Sequence, residues 1–220
     1  MVKKIISLVV LLLMSIVSLA QDTLRSGKVI TNAQLIGMGH INQLDTYLSP
    51  SEYTGGELRY ISHTIRENGT PISREIIHQA HLSYTHNRSK RNNNIDGLYN
   101  FQYNVLYAIG QWRMGNGTLA AKVGGGIDAN LGFVYNMRNG NNPAQAYMNL
   151  NLAPVVSAQY SFRLWKRPFR LSYSAQVPLV GLMFTPNFGQ SYYEIFSEGN
   201  YDHNIVPTTF GVTPSLRQML

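Results

Sequence analysis

The chain has 220 residues, a mass of 24.7 kDa, 18 basic and 11 acidic side chains, and no cysteine. With 13% charged and 11% aromatic residues it is too poor in charge and too rich in rings for a disordered chain. The missing thiols exclude a disulfide framework, thiolate catalysis, Cys-ligated zinc or iron–sulfur centres and a lipid-modified N-terminal cysteine.

Lys3 and Lys4 precede an unbroken apolar run from Ile5 to Met14, and Ser18-Leu19-Ala20 has the small-x-small pattern of a cleavage site. That run is shorter than the roughly 20 residues a spanning helix needs. Residues 1–20 therefore read as a secretory signal peptide, and 21–220 as a single exported domain. From Gln21 onward the chain keeps 16 basic residues (18 less Lys3 and Lys4) against 11 acidic, about +5. These charges are scattered on an exported chain, so no nucleic-acid partner is expected. No later stretch approaches 18 apolar residues, which leaves strands as the route across a membrane. A strand crosses with about 9–11 residues, and only alternate ones need be apolar.

In chain order, residues 31–40, 56–66 and 75–86 read as three strands with some polar groups on both faces. From Gly97 the period of two is nearly continuous. Tyr99, Phe101, Tyr103, Val105, Tyr107 and Ile109 alternate with Asn100, Gln102 and Asn104. Leu119 to Tyr135 repeats the pattern on odd positions, with Lys122, Asp128 and Asn130 between them. The parity then flips: Met148 to Leu164 is apolar on even positions, alternating with Asn149, Asn151, Ser157, Gln159 and Arg163. A further stretch places Phe169, Leu171, Tyr173, Ala175, Val177, Leu179 and Met183 on one face, opposite Arg170, Ser172 and Ser174. Pro154 and Pro178 cannot donate to a ladder, so bulges are expected there. These are seven strands, and single-chain bacterial barrels use an even number. The remainder from Ile205 must supply another, although Pro207 and Pro214 interrupt it and the last residue is not aromatic. The chain is expected to stop early.

The connections (41–54, 67–74, 87–96, 110–117, 136–145, 165–168 and 185–204) tend to alternate long and short. Outer-membrane barrels pair long extracellular loops with short periplasmic turns. Tyr160, Phe162 and Phe169 flank the turn at Trp165 to Pro168, and Phe133, Tyr135, Tyr99 and Phe101 are expected at the opposite end, as two interfacial girdles. The expected fold is all-β: an antiparallel up-and-down transmembrane-type barrel of about 8–10 strands.

Three stretches carry a family resemblance: Ser18-Leu19-Ala20-Gln21, Leu98-Tyr99-Asn100-Phe101-Gln102-Tyr103-Asn104 and the tail Ser215-Leu216-Arg217-Gln218-Met219-Leu220. They resemble a family of small uncharacterised secreted proteins of Gram-negative anaerobes, a domain of unknown function. The resemblance implies an outer-membrane barrel with further strands beyond the position of Leu220, and it brings no activity and no catalytic residues.

His81 and Ser83, two apart, share one strand face with Thr85. A nucleophile–base pair is one reading, as in a lipid-modifying outer-membrane hydrolase, but no third partner or nucleophile elbow accompanies them. His78 and His86 share a face that His81 does not, so no metal or other cofactor is expected. Gly124-Gly125-Gly126 lacks the Lys and helix of a phosphate loop and reads as room for curvature. Lys122, Asp128, Arg163 and Arg170 fall on the polar faces and are expected to pair inside a narrow lumen. Arg88, Lys90 and Arg91 form a basic loop suited to the phosphates of lipopolysaccharide, and Tyr192 and Tyr193 are further loop contact candidates. The expectation is an outer-membrane protein with a structural or binding role through its extracellular loops and no catalysis, in contact with lipid. The alternatives are the His81/Ser83 hydrolase and a soluble periplasmic ligand-binding barrel.

Overall fold

The computed structural model describes residues 28–45, 47–140, 142–187, 189–199, 203–209 and 217–219. The expected signal peptide, Tyr201 and Pro214 lie outside the described residues. The strands are β1 (Val29–Gln43), β2 (Tyr53–Glu67), β3 (Ile72–Asn87), β4 (Asn93–Met114), β5 (Gly117–Asn136), β6 (Ala144–Leu164), β7 (Arg167–Gln176), β8 (Val180–Phe184), β9 (Ile205–Thr209) and β10 (Arg217–Met219). One short helix, α1 (Tyr192–Glu198), lies between β8 and β9.

All pairings are antiparallel, and β1 to β7 follow one another in sequence order. This is the meander that short hairpin connections dictate. The β6–β7 hairpin has a connection of two residues, Trp165 and Lys166, with φ of 49° and 68°. Positive φ at both central positions is the backbone that matches strand twist, here adopted without glycine.

Two pairs of short strands act as single strands. β7 and β8 lie along the same edge of β6, with Val155 opposite Gln176 and Leu152 opposite Val180. Three steps on β6 are thus matched by four on its neighbour. The extra residue falls where Pro154 faces Val177–Leu179, and the amides on either side of Pro178 still bond to Pro154 and Leu152 carbonyls. This is the irregularity expected of the two prolines, merged into one bulge. It has a consequence for parity. Met183 pairs with Asn149, and Leu182 instead stands exposed opposite Leu150, which corrects the placement of Met183 with Phe169. Beyond it, β9 pairs with β8 and β10 with β7, so the segment after Ile205 supplies the eighth strand of the meander.

The connection expected over 110–117 is in fact strand up to Met114, with a turn at Gly115 and Asn116. A bulge between Ala108 and Gly110 shifts the phase, so that Trp112 pairs with Leu119 and both belong to the apolar face. The interrupted period disguises the strand as a loop.

The sheet is not closed into a barrel. Among the described residues no pairing joins β1 to β9 or β10. The last two strands are only five and three residues long, and Pro207 removes a donor from β9. The sheet is nonetheless strongly curved. Lys122 on β5 reaches Glu67 on β2 at 2.5 Å, and Asn136 on β5 donates to the Tyr53 hydroxyl on β2 at 3.0 Å. Small residues permit the bend. A Cβ on Gly124 would stand 1.9 Å from the Val105 carbonyl oxygen, so the two backbones approach there as only glycine allows.

Burial is inverted relative to a water-soluble sandwich. Among the described residues, seventeen polar or charged side chains are buried against eight apolar ones. The buried polar set lies mainly on the concave face: Asn94, Asp96, Asn100, Gln102 and Asn104 on β4, Asp128, Asn130 and Asn136 on β5, and Asn151 on β6. Large apolar residues stand exposed on the convex face, including Met38 at 76%, Leu82 at 60% and Leu152 at 57%.

Candidate functional site

The concave face holds three polar clusters. Nearest the short turns, the Lys122 ammonium donates to Glu67 at 2.5 Å and to Ser73 at 3.1 Å, and beside it His63 and Glu75 stand 3.8 Å apart. At mid-height, Asp128 is fully buried and accepts from Asn100 at 2.5 Å, from Asn130 at 3.3 Å and from Asn151 at 3.4 Å. Asn149 accepts from Asn130 and Asn151, and Gln102 donates back to Asn100. Such an amide lattice satisfies its members against each other and fills the hollow with fixed dipoles.

The third cluster contains the suspected nucleophile pair. His81 Nε2 lies 2.7 Å from Asp96 Oδ1, and the Ser83 hydroxyl donates to the same oxygen at 3.3 Å. Asp96 is buried and sits opposite Ser83 in the β3–β4 register. His81 and Ser83 thus share the concave face, as the spacing implies, but both bind one carboxylate. A nucleophile–base device would need the serine hydroxyl on the imidazole. Asp96 escaped sequence reasoning because only the register brings it opposite Ser83. Thr85 is fully buried and donates to Gln43 on β1.

The four charges expected to pair in the lumen are not brought together. Lys122 pairs with Glu67, and Asp128 is held by amides. Arg163 and Arg170 pair in register with Pro168 and Ser161 and are exposed near the Trp165 turn. The reason is position: both arginines lie within a few residues of the turn, below the level where the walls converge. Among the described residues no group of three His, Cys, Asp or Glu side chains could hold a metal ion.

The opposite end of the sheet carries the longer loops, and they knit together. Tyr47 donates to the Gln190 carbonyl at 2.7 Å, Asn139 donates to the Leu48 carbonyl at 3.3 Å, and Tyr147 donates to Asp45. The Tyr192 hydroxyl accepts from the Ala146 amide at 2.6 Å, and its ring stands edge-on to Tyr47. Burial raises the pKa of both Tyr47 and Tyr192, keeping these phenols neutral hydrogen-bonding anchors. Helix α1 starts from a capping box in which Ser191 and Glu194 bond each other's backbone. Those bonds hold the Glu194 carboxyl below its ordinary pKa. Ile195 is fully buried beneath the helix, and Tyr193 and Phe196 face outward, 80% and 58% exposed. Of the two tyrosine candidates, then, Tyr192 is a structural anchor and Tyr193 is the one free to touch a partner.

Arg88, Lys90 and Arg91 occupy the tight turn between β3 and β4, all exposed. The Asn87 side-chain oxygen accepts from Ser89, from the Arg91 amide at 3.1 Å and from the Asn92 amide at 3.3 Å. Lys90 takes a φ of 56°. An asparagine-braced turn therefore fixes the loop backbone and turns three cations to solvent at one spot.

Together these features define an all-β protein: one antiparallel meander with a polar concave face, an apolar convex face and a loop-capped mouth. The chain belongs to the family described as a protein of unknown function (DUF3316), whose model matches residues 6–220. No curated protein and no solved structure matches it.

Proposed function

We propose that this protein is exported to the outer membrane, where its eight-strand meander forms a barrel wall with the convex face against lipid. The role is structural or binding, exerted through the long-loop end, and no catalysis is assigned to it. The inverted burial pattern carries this reading. Exposing residues such as Ile36, Met38, Leu82 and Leu152 to water while burying Asp128 and its amides is costly in an aqueous compartment and favourable in a bilayer. Unpaired strand edges cannot face hydrocarbon, so β1 and the β9–β10 strand are read as closing on each other in the membrane. The stacked rings of Tyr160, Phe162 and Phe169 beside the Trp165 turn suit an interfacial girdle.

The cation turn of Arg88, Lys90 and Arg91 would face the outer leaflet and take the phosphates of lipopolysaccharide. Replacing all three by Ser should weaken binding to lipopolysaccharide vesicles, and the wild-type binding should fall with salt. The shared use of Asp96 by His81 and Ser83 argues against the hydrolase alternative.

Fractionation followed by gel electrophoresis with and without boiling tests the reading. A heat-modifiable band in the outer-membrane fraction is expected. A protein recovered from the periplasm without detergent, with unchanged mobility on boiling, would overturn it and favour the soluble barrel.

A further inference from the structure

The charges on the strands are sorted between the two faces. By register, the strand carboxylates Glu57, Glu67, Glu75, Asp96 and Asp128 all belong to the concave face. Among the described residues the convex face has no strand carboxylate, and its arginines are Arg66, Arg74 and Arg167. Arg66 on β2 and Arg74 on β3 stand directly opposite each other, and both are exposed. Neither takes part in an ion pair among the described residues. Like charges directly opposite on neighbouring strands are destabilising, and an anion held between them removes the repulsion.

Their height identifies the anion. On the same face, Trp112, Leu119, Phe162 and Phe169 each stand three residues from the two-residue turns of β4–β5 and β6–β7. Arg66 and Arg74 stand two and three residues from the β2–β3 connection (68–71), at the same end of the sheet. They therefore share the level of the interfacial rings, where a bilayer places its headgroups. The face stays polar for two further rows. Asn32 and Thr64 come next, beside Ile76, followed by Gln34, Ser62 and His78. Asn32 donates to Thr64 at 2.7 Å and to Ser62 at 3.4 Å, which leaves both hydroxyl hydrogens free to donate outward. His78 is tied to the Tyr99 hydroxyl at 2.7 Å. From Arg66 to Ser62 is about 13 Å along the strand, or about 9 Å along the membrane normal at a tilt of about 45°. The interfacial layer is about 5–7 Å deep in each leaflet. The polar wedge thus begins in that layer and ends just beneath it, where Ile36, Tyr60 and Ala80 follow.

We propose that Arg66 and Arg74 form a binding site for an anionic phospholipid of the leaflet at the short-turn end. The phosphate bridges the two guanidinium groups, and an ester carbonyl further into the bilayer accepts from Thr64. This rests on the membrane reading above. Guanidinium groups present paired donors that match phosphate oxygens. Phosphate and ester oxygens only accept, and the arginines and the Thr64 hydroxyl supply the donors. A zwitterionic headgroup fits less well, because its ammonium would meet two arginines and no carboxylate. The site is separate from the turn of Arg88, Lys90 and Arg91, which lies at the opposite end of the sheet.

Native mass spectrometry of the full chain in detergent, with phosphatidylglycerol or phosphatidylethanolamine added, tests the site. Arg66→Gln and Arg74→Gln are made singly. Arg167→Gln is the control, a convex-face arginine whose register partner is Leu164 rather than a second cation. The wild type is expected to retain phosphatidylglycerol in preference to phosphatidylethanolamine. Each pair variant should lose that retention several-fold, and the control should keep it. No retention by the wild type, equal retention of the two lipids, or an equal loss in Arg167→Gln would overturn the proposal. So would displacement by inorganic phosphate but not by chloride at the same ionic strength, which would make free phosphate the ligand. Gel mobility of each sample with and without boiling reports the membrane reading and the fold separately. Heat-modifiable protein that retains no phosphatidylglycerol sinks only the lipid site, whereas protein soluble without detergent sinks both. Both arginines are exposed, so neither glutamine endangers folding.

Discussion

Lys122 and Glu67 meet at 2.5 Å although three strand steps separate β5 from β2. Neighbouring strands lie about 4.8 Å apart, so a flat sheet would hold them roughly 14 Å from each other. The contact therefore measures the curvature that turns a meander into a trough. Glu67 is half exposed, so the pair is worth modest energy, about 0.5–1 kcal/mol. A double-mutant cycle with Lys122→Met and Glu67→Gln, read by denaturant unfolding in detergent, should return a coupling of that size. Strict additivity would mean that the two walls do not converge.

Asp128 should be the most sensitive polar position. Its carboxylate is the shared acceptor for amides from β4, β5 and β6. Asp128→Ala strands buried donors and should cost about 2–4 kcal/mol, because an orphaned buried donor costs about 1–3 kcal/mol. Asp128→Asn keeps one acceptor oxygen and should cost about half as much. Equal, negligible losses would mean that the lattice is hydrated.

Adjacent glycines should respond oppositely. Gly124 faces the concave side, where a Cβ would meet the Val105 carbonyl oxygen at 1.9 Å. The nearest atom to a Cβ on Gly125 is the Ala153 carbonyl oxygen at 3.6 Å, an ordinary contact. Gly124→Ala should therefore part β4 from β5 and reduce the heat-modifiable fraction, whereas Gly125→Ala should be tolerated or slightly stabilising.

The α1 cap should weaken in acid. The Glu194 pKa is lowered from the ordinary value of 4.5 by the Ser191 backbone and hydroxyl. A lowered folded-state pKa means that the stabilisation is present above the unfolded value and is lost as pH falls through the folded one. Protection of the Ile195 and Phe196 amides, relative to their intrinsic exchange, should fall as the pH drops below the ordinary glutamate value, and Glu194→Gln should abolish that pH dependence. An unchanged loss of protection in the variant would place the titration elsewhere.

Strand positions were legible because the period of two survives wherever one face is buried in polar contacts and the other is apolar. Seven of the eight strands could be read, and the parity flip before Met148 predicts the facing of β6 correctly. Reading failed where a bulge resets the phase. The bulge at Gly110 disguised the end of β4 as a loop, and the extra residue at Pro178 moved Met183 to the other face. Helix α1 was hidden because seven residues show too little of a 3.6 period. The partners of His81 and Lys122 were not readable, because register and curvature choose them and spacing along the chain does not.

On the proposed membrane reading, the odd positions of β4 face lipid and the even ones face the hollow. Single cysteines from Tyr99 to Val105, spin-labelled in reconstituted bilayers, test it through accessibility to oxygen and to a water-soluble nickel chelate. Oxygen maxima are expected at Tyr99, Phe101, Tyr103 and Val105, with minima at Asn100, Gln102 and Asn104. Maxima at the even positions, or high nickel accessibility at the odd ones, would contradict that reading.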